Sequence, residues 1–222
     1  MAIIKAFRGF RPDKELAASI ASRPYDVLNS EEARTEVEGN PYSFLHVVKP
    51  EVDLPPETDL YSDIVYQKGK SNLEKMISDG LLFQDKEACL YVYAQTMDGK
   101  TQYGLLGCAS IEDYQDNVIK KHELTRPDKE EDRKQHVRIS NFHAEPVFFA
   151  YPAHAEIDAI VREVVKAVPA YDFVADDGIG HQLWVIREAE MINRLETLFS
   201  TDVPVTYVAD GHHRTAAAAG VG

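Results

Sequence analysis

The sequence predicts a mixed α/β fold of the α+β kind, and three observations predict it. Strand-like runs rich in Val, Tyr and Phe recur at 88–96, 146–151 and 203–209. Stretches with helical apolar spacing, such as 155–168 and 187–199, fall between them. The two kinds of element mix from end to end without a repeat, which argues against a sandwich or a helical bundle. The 222 residues are 44% hydrophobic and 27% charged, which excludes a disordered or collagen-like chain and supplies enough apolar surface for a sizeable core.

In order along the chain, 3–7 (IIKAF) reads as a strand and 13–21 as a helix, with Asp13 as its cap after Pro12. Pro24 breaks the pattern. A helix then starts with Ser30 as cap and ends at Gly39. Residues 43–49 (SFLHVVK) read as a buried strand, 49–57 as a Pro-rich connection and 59–79 as mostly helix. The runs 88–96 and 101–109 flank Asp98-Gly99, a hairpin signal. Residues 111–142 are charge-dense and partly helical. A strand at 146–151, a helix at 155–168, two strands around Asp176-Asp177-Gly178 and a helix at 187–199 follow. The strand 203–209 then runs into a helix opening at 211. A weak boundary near residue 110 divides the sequence into an N-terminal α/β region, 1–110, and a second region, 111–222. The last residues, TAAAAGVG, read as a helix just begun, so the chain is expected to be part of something longer.

The net charge of −13 repels a polyphosphate over most of the surface, so nucleic acid is an unlikely partner by charge. Cys89 and Cys108 form no CxxC pair, which argues against a disulfide framework or a Cys-based zinc site. Lys5 and Arg8 interrupt the apolar N-terminus before a signal-peptide core can form, and no run reaches the length of a membrane span. A cytoplasmic protein with no membrane partner is expected.

The residues with the clearest chemistry are Asp210-Gly211-His212-His213-Arg214-Thr215, between a β-rich run and a run of alanines. The first amides of a helix have no intrahelical partner and lie at the positive end of its dipole. Such a start is suited to phosphate. Gly211 lets the backbone approach an anion without a Cβ in the way, and Arg214 offers a planar cationic fork. The alternative is structural: Asp210 caps the helix and Arg214 is a surface charge. The two readings conflict, because a capping carboxylate would occupy the cradle. If phosphate sits there, Asp210 must point elsewhere, to a magnesium ion or a hydroxyl substrate. His212 and His213 converge poorly on one metal, since neighbours on a helix point about 100° apart.

Asp210-Gly211-His212-His213-Arg214 resembles the DGHHR signature of a bacterial and archaeal family of unknown function, number ten-fifteen in the domain-of-unknown-function series. Three further segments resemble that family's motifs in the same order: Pro24-Tyr25-Asp26-Val27, Asn40-Pro41-Tyr42-Ser43-Phe44, and Lys121-His122-Glu123 with Thr125, Lys129 and Arg133. Arg23 stands where the family commonly has a proline. Members usually continue past the DGHHR helix.

The strand–turn–helix is also similar to the ParB/sulfiredoxin superfamily, where a Gly-x-x-Arg helix start holds nucleotide phosphates. It is similar again to the free serine kinases, which carry a VDGHHR string and phosphorylate serine with ADP. The resemblance implies a ParB/sulfiredoxin-like nucleotide-binding core with additional N-terminal α/β elements. Sulfiredoxin has Cys where this chain has His212, so sulfinic-acid repair is not implied. The implied function is phosphoryl transfer from ADP or ATP, with Mg2+, to a small hydroxyl compound, serine-like by resemblance. A non-catalytic nucleotide-binding switch is the alternative.

On the kinase reading, Gly211, His212, His213, Arg214 and Thr215 hold phosphate. Asp210 holds metal or orients the acceptor, and His213 joins it among the catalytic groups. A kinase needs a base near the acceptor hydroxyl and cations around the phosphoryl group, which suggests Glu123 as base. Tyr25, Asp26, His122 and Arg133 are the expected substrate contacts. The structural alternatives are a Pro-initiated turn at 24–26 and a solvated helical face around 122–133.

Overall fold

A computed structural model describes residues 1–222. Its strands are β1 (Ile4–Lys5), β2 (Phe10–Pro12), β3 (Leu82–Gln84), β4 (Leu90–Met97), β5 (Lys100–Leu106), β6 (Cys108–Ala109), β7 (Ile119–Lys120), β8 (Phe148–Ala150), β9 (Tyr171–Val174), β10 (Gly180–Ile186) and β11 (Thr206–Asp210). Its helices are α1 (Ala17–Ile20), α2 (Ser30–Glu36), α3 (Leu45–Val48), α4 (Asp63–Ser78), α5 (Ile111–Gln115), α6 (Pro127–Ser140), α7 (Ala155–Val164), α8 (Ala189–Asp202) and α9 (His212–Val221). The mixed α/β class read from the sequence is the class observed. No helix is long and apolar enough to cross a membrane.

The largest sheet has the antiparallel order β5-β4-β10-β9. Asp98 and Gly99, both at positive φ, close the β4–β5 hairpin where the Asp-Gly signal lies. Alternate residues Leu90, Val92 and Ala94 of β4 face a core shared with Trp184 and Ile186 of β10. Ile157 of α7 and Ile192, Leu195, Leu198 and Phe199 of α8 cover that face. Ala2 belongs to the same core, so apolar packing joins residues from both sides of position 110. A second, three-stranded sheet has the order β7-β11-β8, with β11 parallel to β7 and antiparallel to β8. Helix α9 leaves the end of β11 and packs on α6, which in turn packs on α4.

Two smaller cores organise the N-terminal helices, and they correct one expectation. Residues 43–49 form no strand; Leu45–Val48 is a short helix. Leu45 and Val48 join Leu28 and Ala33 in one core, whereas Val47 joins Ile20, Leu73 and Met76 in another. Leu45 and Val48 are three residues apart yet share one core, whereas the alternating faces of a strand would separate them. Ser43 Oγ accepts the Leu45 N–H, and Asn72 reaches the His46 carbonyl, so the turn is held by side chains where a strand would need a neighbour. Gly69 on α4 permits this contact, since a Cβ there would lie 2.9 Å from the Val47 carbonyl oxygen.

Two caps also differ from expectation. Asn29, one residue before Ser30, caps α2 in a reciprocal box with Glu32. Three residues after Ser30 stands Ala33, which cannot return the bond. Ser30 instead donates to Glu51. Asp13 precedes a single 3-10 turn without bonding it through its side chain, and the α-helical part is confined to Ala17–Ile20.

Candidate functional site

The site is built around the end of β11. Thr206 and Val208 are buried while Tyr207 and Ala209 are more exposed, so the strand presents one face to the interior. Its pairing with β8 shifts register between Val208 and Asp210, which leaves Ala209 without a partner and bends the strand end. Gly211 follows at φ +86°, ψ +39°, a left-handed conformation that glycine adopts without strain. The chain then enters α9. Thr215, Ala216 and Ala217 are buried, and the small alanines let α9 lie close against α6.

This start leaves three amides free. The first backbone bond of α9 runs from Thr215 N–H to Gly211 O at 2.9 Å. No side chain caps the helix, and His212, His213 and Arg214 donate their amides to no protein acceptor. Asp210 does not plug the cradle. Its Oδ2 accepts from Arg214 Nη2 at 2.8 Å.

Above these amides lies a pocket of about 180 Å³ lined by Tyr25, Asp26, Glu123, Asp210, Gly211, His212, His213 and Arg214. All eight belong to the residues picked out from sequence, and they come from three distant segments. The pocket is open and polar. Asp26, Glu123 and Asp210 are each partly exposed, with side-chain exposures of 43%, 57% and 69%. Partly exposed carboxylates and the residues of the helix start therefore line it together.

Arg214 is more a strut than a free cation. Its side chain is only 11% exposed. Nη1 donates to the Pro146 carbonyl at 2.6 Å, Nη2 bonds Asp210, and Asp26 Oδ2 lies 4.0 Å away. Its Nε is buried without a partner. The guanidinium thus joins α9, the entry to β8 and the 24–27 turn.

His212 is buried. Its Nδ1 lies 3.5 Å from Glu123 Oε2, its ring meets His122 edge-to-face with centroids 4.5 Å apart, and its Nε2 has no partner. His213 Nε2 accepts the Arg126 N–H at 3.1 Å. Thr215 spends its hydroxyl on Gly211 O, at 2.9 Å.

Tyr25 also lines the pocket. It sits in a 3-10 turn, Tyr25–Val27, introduced by Pro24. The Arg133 guanidinium stacks on its ring with 4.0 Å to the centroid. Arg133 is held in turn by Asp132, which accepts from Tyr66 OH at 3.0 Å. Burial raises the Tyr25 pKa, and the Arg133 charge opposes the shift. His122, Arg133 and Thr215 support the pocket without lining it.

Sequence reasoning missed Glu145. Its Oε1 accepts the Tyr25 N–H at 2.9 Å. Burial raises the Glu145 pKa against the opposing pull of that bond, Arg214 and Arg133. The signal was positional: Glu145 immediately precedes the strand-like run that neighbours the DGHHR strand, and the next residue supplies the carbonyl for Arg214. Arg126, whose contribution is a backbone amide, left no signal at all.

Asp26, Glu123 and Asp210 do not form, with any histidine, a cluster of three or more side chains able to enclose a metal. Magnesium does not require one. It is typically held by one or two carboxylates together with substrate phosphates and waters. The Oδ1 atom of the exposed Asp210 makes no hydrogen bond within the protein and suits that role.

No curated protein and no solved structure matches this sequence. The site's residues span nearly the whole chain, from Tyr25 to Arg214, and so does one family resemblance. The family described as "Protein of unknown function (DUF1015)" matches residues 4–222, and the chain belongs to it.

Proposed function

We propose that the pocket binds the phosphates of a nucleotide, ADP or ATP with Mg2+, and transfers a phosphoryl group to a small hydroxyl compound. One observation carries this reading. Three unpartnered amides at the start of a ten-residue helix open into a pocket whose rim carries exposed carboxylates. Anionic oxygens fit the amides and the helix dipole. Phosphoryl transfer is largely positioning and charge stabilisation, so a polar pocket of this size suits the reacting phosphoryl group.

On this reading the amides of His212 to Arg214 hold the donor phosphates. Asp210 holds the metal, which would neutralise phosphate charge when bound. Glu123, with His212 beside it, accepts the proton of the acceptor hydroxyl. Asp26 and Tyr25 contact the acceptor. Serine is the first acceptor to try, because of the likeness of the DGHHR turn to the free serine kinases. The ParB/sulfiredoxin-like character of the β11–α9 unit is part of the same proposal.

The test has two arms. Thermal shift with a nucleotide panel plus magnesium reads binding, since a ligand of the native state raises its stability by about 2.7 kcal/mol at a hundredfold excess over Kd. Phosphate-transfer detection with serine and ADP or ATP reads turnover. Glu123→Gln should abolish turnover and retain binding. A panel in which no nucleotide or pyrophosphate shifts the melt overturns the proposal. Binding without transfer to any hydroxyl acceptor would favour the non-catalytic switch.

A further inference from the structure

The adjacent histidines have a use that neither metal binding nor phosphate binding explains. Residues 122–125, which carry Glu123, make no backbone–backbone hydrogen bond. Leu124 in their midst is 94% exposed. A segment held so little by its own backbone needs side chains to hold it. Thr125 donates to Glu130 of α6, which ties the segment to the helix it leads into. Toward the pocket, its contacts run to the first turn of α9. His213 Nε2 accepts the Arg126 N–H at 3.1 Å. His212 meets the His122 ring edge-to-face at 4.5 Å and places Nδ1 3.5 Å from Glu123.

Neighbouring residues on a helix diverge by about 100°, which is poor for one metal and good for gripping a loop at two points. We propose that His212 and His213 are positioning residues that clasp the 122–126 segment against the start of α9 and so set Glu123 at the pocket wall. His213 holds the C-terminal end through the Arg126 amide, and His212 holds the N-terminal end through His122 and Glu123. His213 must present a bare Nε2 to accept that bond, so its ring proton resides on Nδ1.

The consequence for catalysis rests on the phosphoryl-transfer reading, but the clasp does not, and its test uses the free protein. Amide hydrogen exchange on the full chain should show the Arg126 amide exchanging at least tenfold faster in His213→Ala. His213→Gln, whose side-chain carbonyl can reach the same donor, should restore most of the protection. Arg126→Pro removes the amide donor at a φ of −78° that proline adopts, and also the side chain's pairing with Asp128, for which Arg126→Ala is the control. Trypsin cleavage after Lys121 should therefore accelerate in Arg126→Pro, and adding His213→Ala should accelerate it no further.

The clasp is overturned if Arg126 exchange in His213→Ala stays within twofold of the parent. It is equally overturned if His213→Gln exchanges as fast as His213→Ala, or if the two cleavage effects multiply. Where transfer activity is detected, His213→Ala should lower kcat at least tenfold and leave the nucleotide Kd within threefold, because the amide cradle stays in place. Failure to find any transfer would remove the phosphoryl-transfer reading and leave the exchange result to decide the clasp.

Discussion

Replacing Gly211 by alanine tests the turn on which the pocket depends. At φ +86° an L-residue pays roughly 1–2 kcal/mol for the left-handed backbone. The new Cβ would also lie 3.0 Å from Val147 Cγ1 and 3.2 Å from both Cζ and Nε of Arg214. Those contacts are tighter than ordinary packing, and Arg214 is anchored to Pro146 and Asp210, so it has little freedom to yield. Overpacking of this kind costs about 1–3 kcal/mol. A gain of about 0.4–1 kcal/mol from restricting the unfolded chain offsets part of it. The net expectation is a loss of about 2–3 kcal/mol, or roughly 4–12 °C in Tm for a chain of this size.

Gly39→Ala supplies the control. Gly39 has φ +77°, and a Cβ added there would meet nothing within 4 Å, so only the backbone strain remains, about 1 kcal/mol or roughly 2–4 °C. Calorimetric melts of both variants, with and without Mg-ADP, give the comparison. Equal Tm losses would refute the claim that Arg214 and Val147 brace the turn. A Gly211→Ala protein that keeps the full nucleotide shift would refute the claim that this turn shapes the cradle.

Asn29→Ala breaks the reciprocal cap of α2 and should cost about 1 kcal/mol by denaturant unfolding, whereas Ser30→Ala should leave that cap intact. His136, packed edge-on against Tyr66, has its pKa lowered by burial and by nearby Arg133 and Lys49, from 6.5 to about 3. Between those pH values the unfolded chain takes up a proton that the native chain refuses. This group therefore lowers stability by up to about 1.4 kcal/mol per unit as pH falls, and His136→Gln should flatten that slope in acid melts. Nucleotide binding should depend on magnesium, and ADP with EDTA should give a melting shift well below that of Mg-ADP.

The fold class and the main sheet were legible because their signals are local. The Asp98-Gly99 turn fixes a hairpin by its own backbone preference, and the apolar spacing in 155–168 fixes a helix face. The error at 43–49 has the opposite origin. Phe44, Leu45, Val47 and Val48 form a continuous apolar run that fits a strand or a helix, and the choice was made by two cores drawn from Leu28, Leu73 and Met76 elsewhere in the chain. The pocket residues were legible by residue type and motif, yet their supports were not. Glu145 and the Arg126 amide act through contacts across 120 and 87 positions of sequence, which no local pattern encodes.

On the phosphoryl-transfer reading, the charges around the pocket decide what form of phosphate would bind. The helix-start amides and the helix dipole are worth about 0.3–1 kcal/mol to an anion in a water-accessible setting. Set against that are the carboxylates of Asp26, Glu123 and Asp210 on the rim. Arg214 does not tip the balance alone, because its Nη1 is spent on Pro146 and its Nη2 on Asp210. Unit charges 4 Å apart interact by about 4 kcal/mol near a protein surface, so an uncompensated phosphate beside even one free carboxylate loses more than the dipole supplies. A divalent cation reverses that sign. Bound there, it would turn the exposed Asp210 oxygen from a repulsive group into a ligand and reduce the charge that Asp26 and Glu123 face. The acidic rim and the helix-start amides, which would oppose each other for a bare anion, would then act together for its magnesium complex.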